Sequence, residues 1–329
     1  METLALSFDD GADALFDPSG SSSMVHVGSE LTFVTRATSN GPIVLLVGGT
    51  HGDEFEGQLA VGAFARALST QHLTGTVICM PRHNRRACSA ARRCTPETDI
   101  DLNRAYAPGA PGYAPVAQWI DENLLGRVDW VIDLHSGGNA FDFLPSANVQ
   151  ATIGSSEDLS MRPALQAFGA PFAIVFDEVN GDQMPHTGTL EAAARRKNVK
   201  AISSELGGAG RVTPQTMTIA YRAVTRLLQH IGCLAGEDAL ETATTPPTRL
   251  LRLDKPEHYV WPPHAGLLEP RVDLGEAVER GATIATIHHR DPMETPTPLH
   301  APIAGVLAAW QASCAFDPDQ PVAMICEPL

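Results

Sequence analysis

PIVLLVGGTHGDEFEGQLAVG, residues 42–62, runs from an unbroken aliphatic segment through paired glycines into a stretch with helical spacing. An apolar run without polar alternation reads as a strand covered on both faces, as in a parallel sheet between helices. Short runs rich in Val and Ile, several with little polar alternation, recur at TVICMPR (76–82), VDWVIDLH (128–135), PFAIVF (171–176) and VKAISSEL (199–206). Helical candidates lie between or after them at Gln58–Leu68, Val116–Leu125, Arg162–Phe168, Leu190–Arg196 and Met217–Ile231. This alternation predicts an α/β fold, a mixed, largely parallel sheet flanked by helices. Ligands of such sheets bind beyond the carboxyl ends of the strands. His51, His135 and Glu205 all fall at or just after a predicted strand end.

Composition changes after Cys233, which predicts an α/β domain over 1–235, a linker over 236–250 and a C-terminal β-domain over 251–329. The stretch AGEDALETATTPPTRL (235–250) is rich in Ala, Thr and Pro, as linkers are. Beyond it, HAGLLEPRVDLGEAVERGATIATIHH (264–289) and APIAGVLAAWQASCAFDPDQPVAMICE (301–327) resemble each other weakly, which predicts a half-barrel of two related hairpins.

The formal net charge is −15, from 38 acidic and 23 basic side chains, so a phosphate backbone would be repelled and no nucleic-acid partner is expected. The six cysteines form no C-x-x-C pair, which fits reduced thiols rather than a disulfide framework. The first residues, METLALSFDDGADALF, lack the basic and apolar regions of a secretory leader, and no apolar run reaches membrane-span length. A cytoplasmic protein without a membrane partner is the expectation.

Four segments carry the chemistry. In THGDEFEG, His51 and Glu54 stand three apart where a strand turns into a helix, with Asp53 and Glu56 as rival carboxylates. In VIDLHSGG, His135 closes a buried strand, and Asp133 two residues earlier points to the same side, able to orient an imidazole. His51, Glu54 and His135 form a His₂Glu set suited to one catalytic zinc per chain, with a fourth position left for water. In SSELGGAG, Glu205 ends a strand where a carboxylate can act as general base. RHNRRACSAARRCTPETDIDLNRAYAPG (82–109) concentrates arginines in an acidic chain, an anion-binding wall of which Asn103 and Arg104 are the favoured pair. Arg85 and Arg86 read as a solvated loop.

Together GGTHGDEFEG, RRCTPETDIDLNRAYAPG, DLHSGG and SELGGAG, in that order, resemble the succinylglutamate desuccinylase and aspartoacylase family of the zinc carboxypeptidase clan. The resemblance covers about residues 40 to 235 well and the closing β-domain more weakly. The wording of GTHGDEFEG and DLHSGG is nearer to longer bacterial members resembling N-acetyl-diaminobutyrate deacetylases. The resemblance implies zinc on His51, Glu54 and His135, Glu205 as general base and acid, and Asn103 and Arg104 on a substrate carboxylate. It also implies an arginine that polarises the scissile carbonyl, a position matched by Arg93, with Arg92 beside it. The implied reaction is hydrolysis of a small N-acyl amino acid. A metallocarboxypeptidase acting on peptides would use the same set, and a non-catalytic metal-binding protein is a third reading. The C-terminal repeat is similar to biotinyl and lipoyl domains, but residues 288–300 contain no lysine to carry a cofactor. That domain is expected to shape the cleft or build a homo-oligomer interface. His288 and His289 are expected to be solvated.

Overall fold

Residues 43–48 form a strand near the middle of a long sheet, and every strand that contributes to the site ends on the same edge. The structure is a computed structural model describing residues 2–18, 22–38, 40–107, 109, 114–177, 187–236 and 247–329. In chain order the first strands are β1 (Glu2–Leu6), β2 (Ser23–Val27), β3 (Leu31–Arg36), β4 (Ile43–Gly48) and β5 (Thr76–Met80). They are followed by β6 (Trp130–His135), β7 (Phe141–Phe143), β8 (Ser146–Gln150), β9 (Phe172–Phe176) and β10 (Lys200–Glu205). The helices are α1 (Phe55–Ala67), α2 (Arg85–Ala90), α3 (Ala114–Asn123), α4 (Ser156–Phe168), α5 (Leu190–Arg196) and α6 (Pro214–Ile231).

The central strands lie in the order β5-β4-β6-β10, all parallel, while β8 enters antiparallel to β10 and parallel to β9. The expected mixed, largely parallel sheet is therefore observed. Strands β4, β5 and β9 are apolar along their length because both faces are covered. Val44 and Leu46 of β4 pack with Val61 of α1, Leu165 of α4 and Leu227 of α6. The alternate residues Leu45 and Val47 pack on the other face with Ile120 of α3 and Ala193 of α5. Side chains alternate across a strand, so one strand feeds two cores.

The C-terminal strands are β11 (Arg249–Leu253), β12 (Tyr259–Val260), β13 (Gly266–Pro270), β14 (Ala277–Val278), β15 (Thr283–His288), β16 (Thr297–His300), β17 (Gly305–Gln311), β18 (Ala315–Phe316) and β19 (Ala323–Pro328). Strand β11 pairs parallel with β9, and β19, β17 and β14 follow it, so this part continues the main sheet. A separate antiparallel sheet has the order β16-β15-β13-β18. The two similar sequence segments exchange their short strands: β14 pairs with β17 and β18 with β13. Residues 237–246 of the expected linker lie outside the described residues. No described helix is long and apolar enough to cross a membrane.

Candidate metal centre

Register alone brings the chemistry together. Gly48 of β4 lies opposite Leu134 of β6, and His135 of β6 lies opposite Glu205 of β10. At Gly57, an added Cβ would sit 2.2 Å from the carbonyl oxygen of Leu134, so the first turn of α1 packs directly on β6. That close approach carries Glu54, at the N-terminal cap position of α1, against His135. The glycine-rich loops after β6 and β10 brace each other: Gly137 N–H donates to the Gly207 carbonyl at 2.8 Å, and Ala209 N–H to Phe141 at 2.8 Å. Gly208 has φ +143, and a Cβ there would meet the Phe141 carbonyl oxygen at 2.1 Å, so only glycine fits.

Glu54 lies between two imidazoles. Its Oε1 is 2.6 Å from His51 Nδ1 and its Oε2 is 2.8 Å from His135 Nδ1. The outer nitrogens are also engaged: His51 Nε2 lies 3.0 Å from Asp101 Oδ1, and His135 Nε2 lies 3.0 Å from Asp133 Oδ2. A carboxylate that accepts a hydrogen bond from Nε2–H keeps the proton on that nitrogen and so turns the Nδ1 lone pair inward. Two nitrogen lone pairs and a carboxylate then converge, with Ser136 N–H donating to Glu54 Oε2 at 3.2 Å and Arg93 Nη1 3.5 Å from His51 Nδ1, an arrangement whose acceptors suit a cation. The ligand atoms of His51, Glu54 and His135 all lie within 4.8 Å of one another, so the set could hold a metal ion.

A hydrogen-bonded chain backs the centre. Thr50 Oγ1 lies 3.0 Å from Asp133 Oδ1 and 3.0 Å from His83 Nδ1, and His83 Nε2 lies 2.7 Å from the Tyr106 hydroxyl. Burial pushes His83 down to about 4, so it serves as a neutral member of this chain. Burial likewise opposes ionisation of Glu54, yet the two imidazoles outweigh it and hold that carboxyl well below the usual range. His135 is raised well above 6.5, since Asp133 and Glu54 outweigh its burial. Glu205 is pushed up to about 8 by burial and the nearby Glu54 charge, and its Oε2 is shielded and without a partner.

Arg93 stands at the rim, its Nη2 donating to Asp101 Oδ2 at 2.9 Å while Nη1 lies 3.6 Å from Glu54 Oε1. Arg92 is exposed and turns no described contact toward the cluster. Asn103 is buried, with Nδ2 3.4 Å from His135 Nε2, and its Oδ1 accepts from Leu190 N–H at 2.9 Å. Arg104 donates to the Asn103 carbonyl at 2.8 Å. The rival carboxylates face elsewhere: Asp53 accepts from Asn139 N–H, and Glu56 from Thr216.

Arg85 and Arg86 are exposed as expected, but they open helix α2 rather than lie in a loop, with Arg86 forked onto Glu30 at 2.6 Å and Arg85 donating to the Ser29 carbonyl at 2.9 Å. His288 pairs with Glu269, and His289 stacks on His264 with centroids 4.0 Å apart. Asp101, Thr50, His83 and Tyr106 were not singled out from sequence. Another acid–histidine cluster, Asp254, His258 and Glu327, already carries Arg252 on Asp254 and Lys255 on Glu327, and is an ion-pair network. A cavity of about 650 Å³ between α4, α5, β8 and β10 has none of the residues of the metal centre in its wall.

A buried His₂Glu set on the strand-end edge of such a sheet, with a carboxylate beside it, defines a class, and comparison with known proteins agrees. The succinylglutamate desuccinylase/aspartoacylase catalytic domain matches residues 40–231, and the chain belongs to that family. It is 33% identical over 303 residues to the N-alpha-acetyl-L-2,4-diaminobutyric acid deacetylase of Halomonas elongata, covering 90% of this chain and 85% of that one. A succinylglutamate desuccinylase/aspartoacylase structure from Rhodobacter sphaeroides superposes with TM-score 0.81 at 29% identity, covering 91% of this chain and 89% of that one. The product-bound ectoine utilization protein EutE (DoeB) of Ruegeria pomeroyi gives TM-score 0.81 at 27% identity, covering 90% and 88%.

Proposed function

We propose that this protein is a zinc-dependent deacylase that hydrolyses the amide bond of small N-acyl amino acids bearing a free carboxylate. The observation that carries the reading is the inward convergence of His51 Nδ1, His135 Nδ1 and both Glu54 oxygens, with the outer nitrogens fixed by Asp101 and Asp133. The relative from Halomonas elongata, a deacetylase by name, supports an acetyl group as the acyl part. Imidazole and carboxylate donors suit zinc, which supplies Lewis acidity and makes water acidic near neutral pH when bound.

The chain's own residues divide the remaining work. Glu205 takes a proton from the attacking water as the carbon–oxygen bond forms. It returns that proton to the amine nitrogen as the carbon–nitrogen bond breaks. Its lack of any partner at Oε2 leaves the carboxyl free to do this. Arg93 donates to the carbonyl oxygen as charge develops there. Asn103 and Arg104 grip the carboxylate and set the amide in line with Glu205.

The test is a hydrolysis screen of metal-analysed protein against N-acyl amino acids varied in both halves, before and after chelation and zinc readdition. Activity that is lost on chelation and regained with zinc is expected. A protein that binds no divalent metal, or that cleaves none of these amides, refutes the reading.

A further inference from the structure

Resting on the metal centre proposed above, we infer that Tyr106 is a positioning residue for it: through His83, Thr50 and Asp133, its hydroxyl fixes which nitrogen of His135 faces the metal. Each link has one allowed direction. Asp133 is fully buried, and its carboxylate can only accept. Thr50 Oγ1 lies 3.0 Å from Oδ1 and 3.1 Å from Oδ2, so the one hydroxyl proton of Thr50 goes to Asp133. His135 Nε2, 3.0 Å from Oδ2, must likewise carry a proton, which leaves Nδ1 to face the metal. Asn103 Nδ2 lies farther from that nitrogen, at 3.4 Å, and is uncharged, so Asp133 decides.

The same proton count sets His83. Thr50 Oγ1 has only lone pairs left to offer, so His83 Nδ1, 3.0 Å away, is the donor between them. His83 is buried and neutral, since burial pushes it down to about 4, so its Nε2 bears a lone pair. The Tyr106 hydroxyl, 2.7 Å from Nε2, then donates to it. The chain of hydrogen bonds runs in one sense, from the Tyr106 O–H to the carboxylate that holds His135.

Tyr106 keeps that sense. With the chain reversed, His83 Nε2–H would donate to the Tyr106 oxygen, and His83 Nδ1 would take the proton of Thr50. Asp133 would lose its Thr50 donor, and the Tyr106 O–H, in a side chain only 6% exposed, would have no other acceptor among the described residues. A buried donor without a partner is costly, so reversal is disfavoured. Tyr106 is also tied in place from both sides of its main chain. Its N–H donates to the Gly188 carbonyl at 3.0 Å, and its own carbonyl accepts from Arg196 Nη2 at 2.6 Å. Tyr106→Phe therefore keeps the ring and removes only the bias.

Long-range proton–nitrogen NMR of isotope-labelled histidines in the metal-free protein at neutral pH reads the His83 tautomer, and chelator competition reads zinc affinity. Wild type is expected to hold the His83 proton on Nδ1. Tyr106→Phe is expected to move a share of it to Nε2 and to raise the zinc Kd about threefold or more. No change in either, or a change in one alone, overturns the inference, because a merely structural role would weaken zinc binding and leave the tautomer as it was. Thr50→Val, which breaks the chain, should weaken zinc binding about tenfold, and Thr50→Ser, which keeps the hydroxyl, should not. If Tyr106→Phe does not fold, equal zinc affinities of the two Thr50 variants overturn the inference. Wild type that binds zinc with the His83 proton on Nε2 defeats only this inference. Wild type that binds no zinc defeats the metal centre itself.

Discussion

Asp133→Asn tests whether the carboxylates behind the imidazoles build the metal centre. Asp133 is fully buried and accepts from Thr50 Oγ1 and from the Nε2 side of His135, both at 3.0 Å. The substitution keeps the shape and removes the charge. A hydrogen bond to a charged group contributes about 1.5–3 kcal/mol and a neutral one about 0.5–1.5, so the loss is roughly 1–2 kcal/mol. Because the side chain has no solvent exposure, screening does not reduce this figure. The asparagine can also turn its NH₂ toward Nε2, which favours the tautomer with a proton on Nδ1 and blocks the inward lone pair. Both effects weaken metal binding, by roughly five- to thirtyfold in Kd. Competition against a chromogenic chelator at neutral pH measures it, with circular dichroism confirming the fold. A folded Asp133→Asn that binds zinc with wild-type affinity would show that Asp133 does not set the orientation of His135.

Other outcomes follow from the same geometry. Glu205→Gln should keep its metal and lose on the order of 10² or more in kcat, and near-normal turnover with metal retained would remove Glu205 from proton transfer. Arg93→Ala should lower kcat on the order of 10² with intact zinc content, whereas a change confined to KM would place Arg93 in substrate binding alone. The metal-free protein should respond to pH through Glu205, whose carboxyl moves from 4.5 when unfolded to about 8 when folded. Between those values the folded chain keeps a proton that the unfolded chain releases, so rising pH erodes stability, with no penalty below 4.5 and the full penalty above 8. Metal-free Glu205→Gln should therefore melt higher than wild type, by a margin that widens from pH 4.5 to 8, and a margin independent of pH would contradict this.

The strands β4, β5, β6, β9 and β10 were legible because each is an apolar run, and burial on both faces leaves no other composition open to them. Strand β8 was not. Its sequence, SANVQ, alternates: Ala147 and Val149 join the apolar core on one face, while Ser146, Asn148 and Gln150 are buried polar residues on the other, with Ser146 bonded to Asn148. Helix α4 starts at Ser156, ahead of the expected Arg162, because Ser155 caps it by accepting from Asp158 N–H, a local bond that apolar spacing cannot reveal. His51, Glu54 and His135 could be picked out because strand ends fix where their side chains emerge. Asp101 reaches His51 across 50 residues through a loop with no periodic pattern.

The site's charge balance connects metal, substrate and stability. Glu54, Asp101, Asp133, Glu191 and Glu205 gather around two imidazoles, and Arg93 and Arg104 are the guanidiniums described nearest them. Asp101 and Asp133 are satisfied within the protein, so they can hold the imidazoles in place before any ligand arrives. Glu205 keeps an unpartnered, shielded oxygen. A divalent cation between His51, Glu54 and His135 offsets the charge of Glu54 that helps keep Glu205 protonated. It would therefore favour the ionised Glu205 that the proposed proton abstraction needs. Metal binding and activation of the base are then one electrostatic event, and the energy the fold spends on crowding carboxylates returns as affinity for cations.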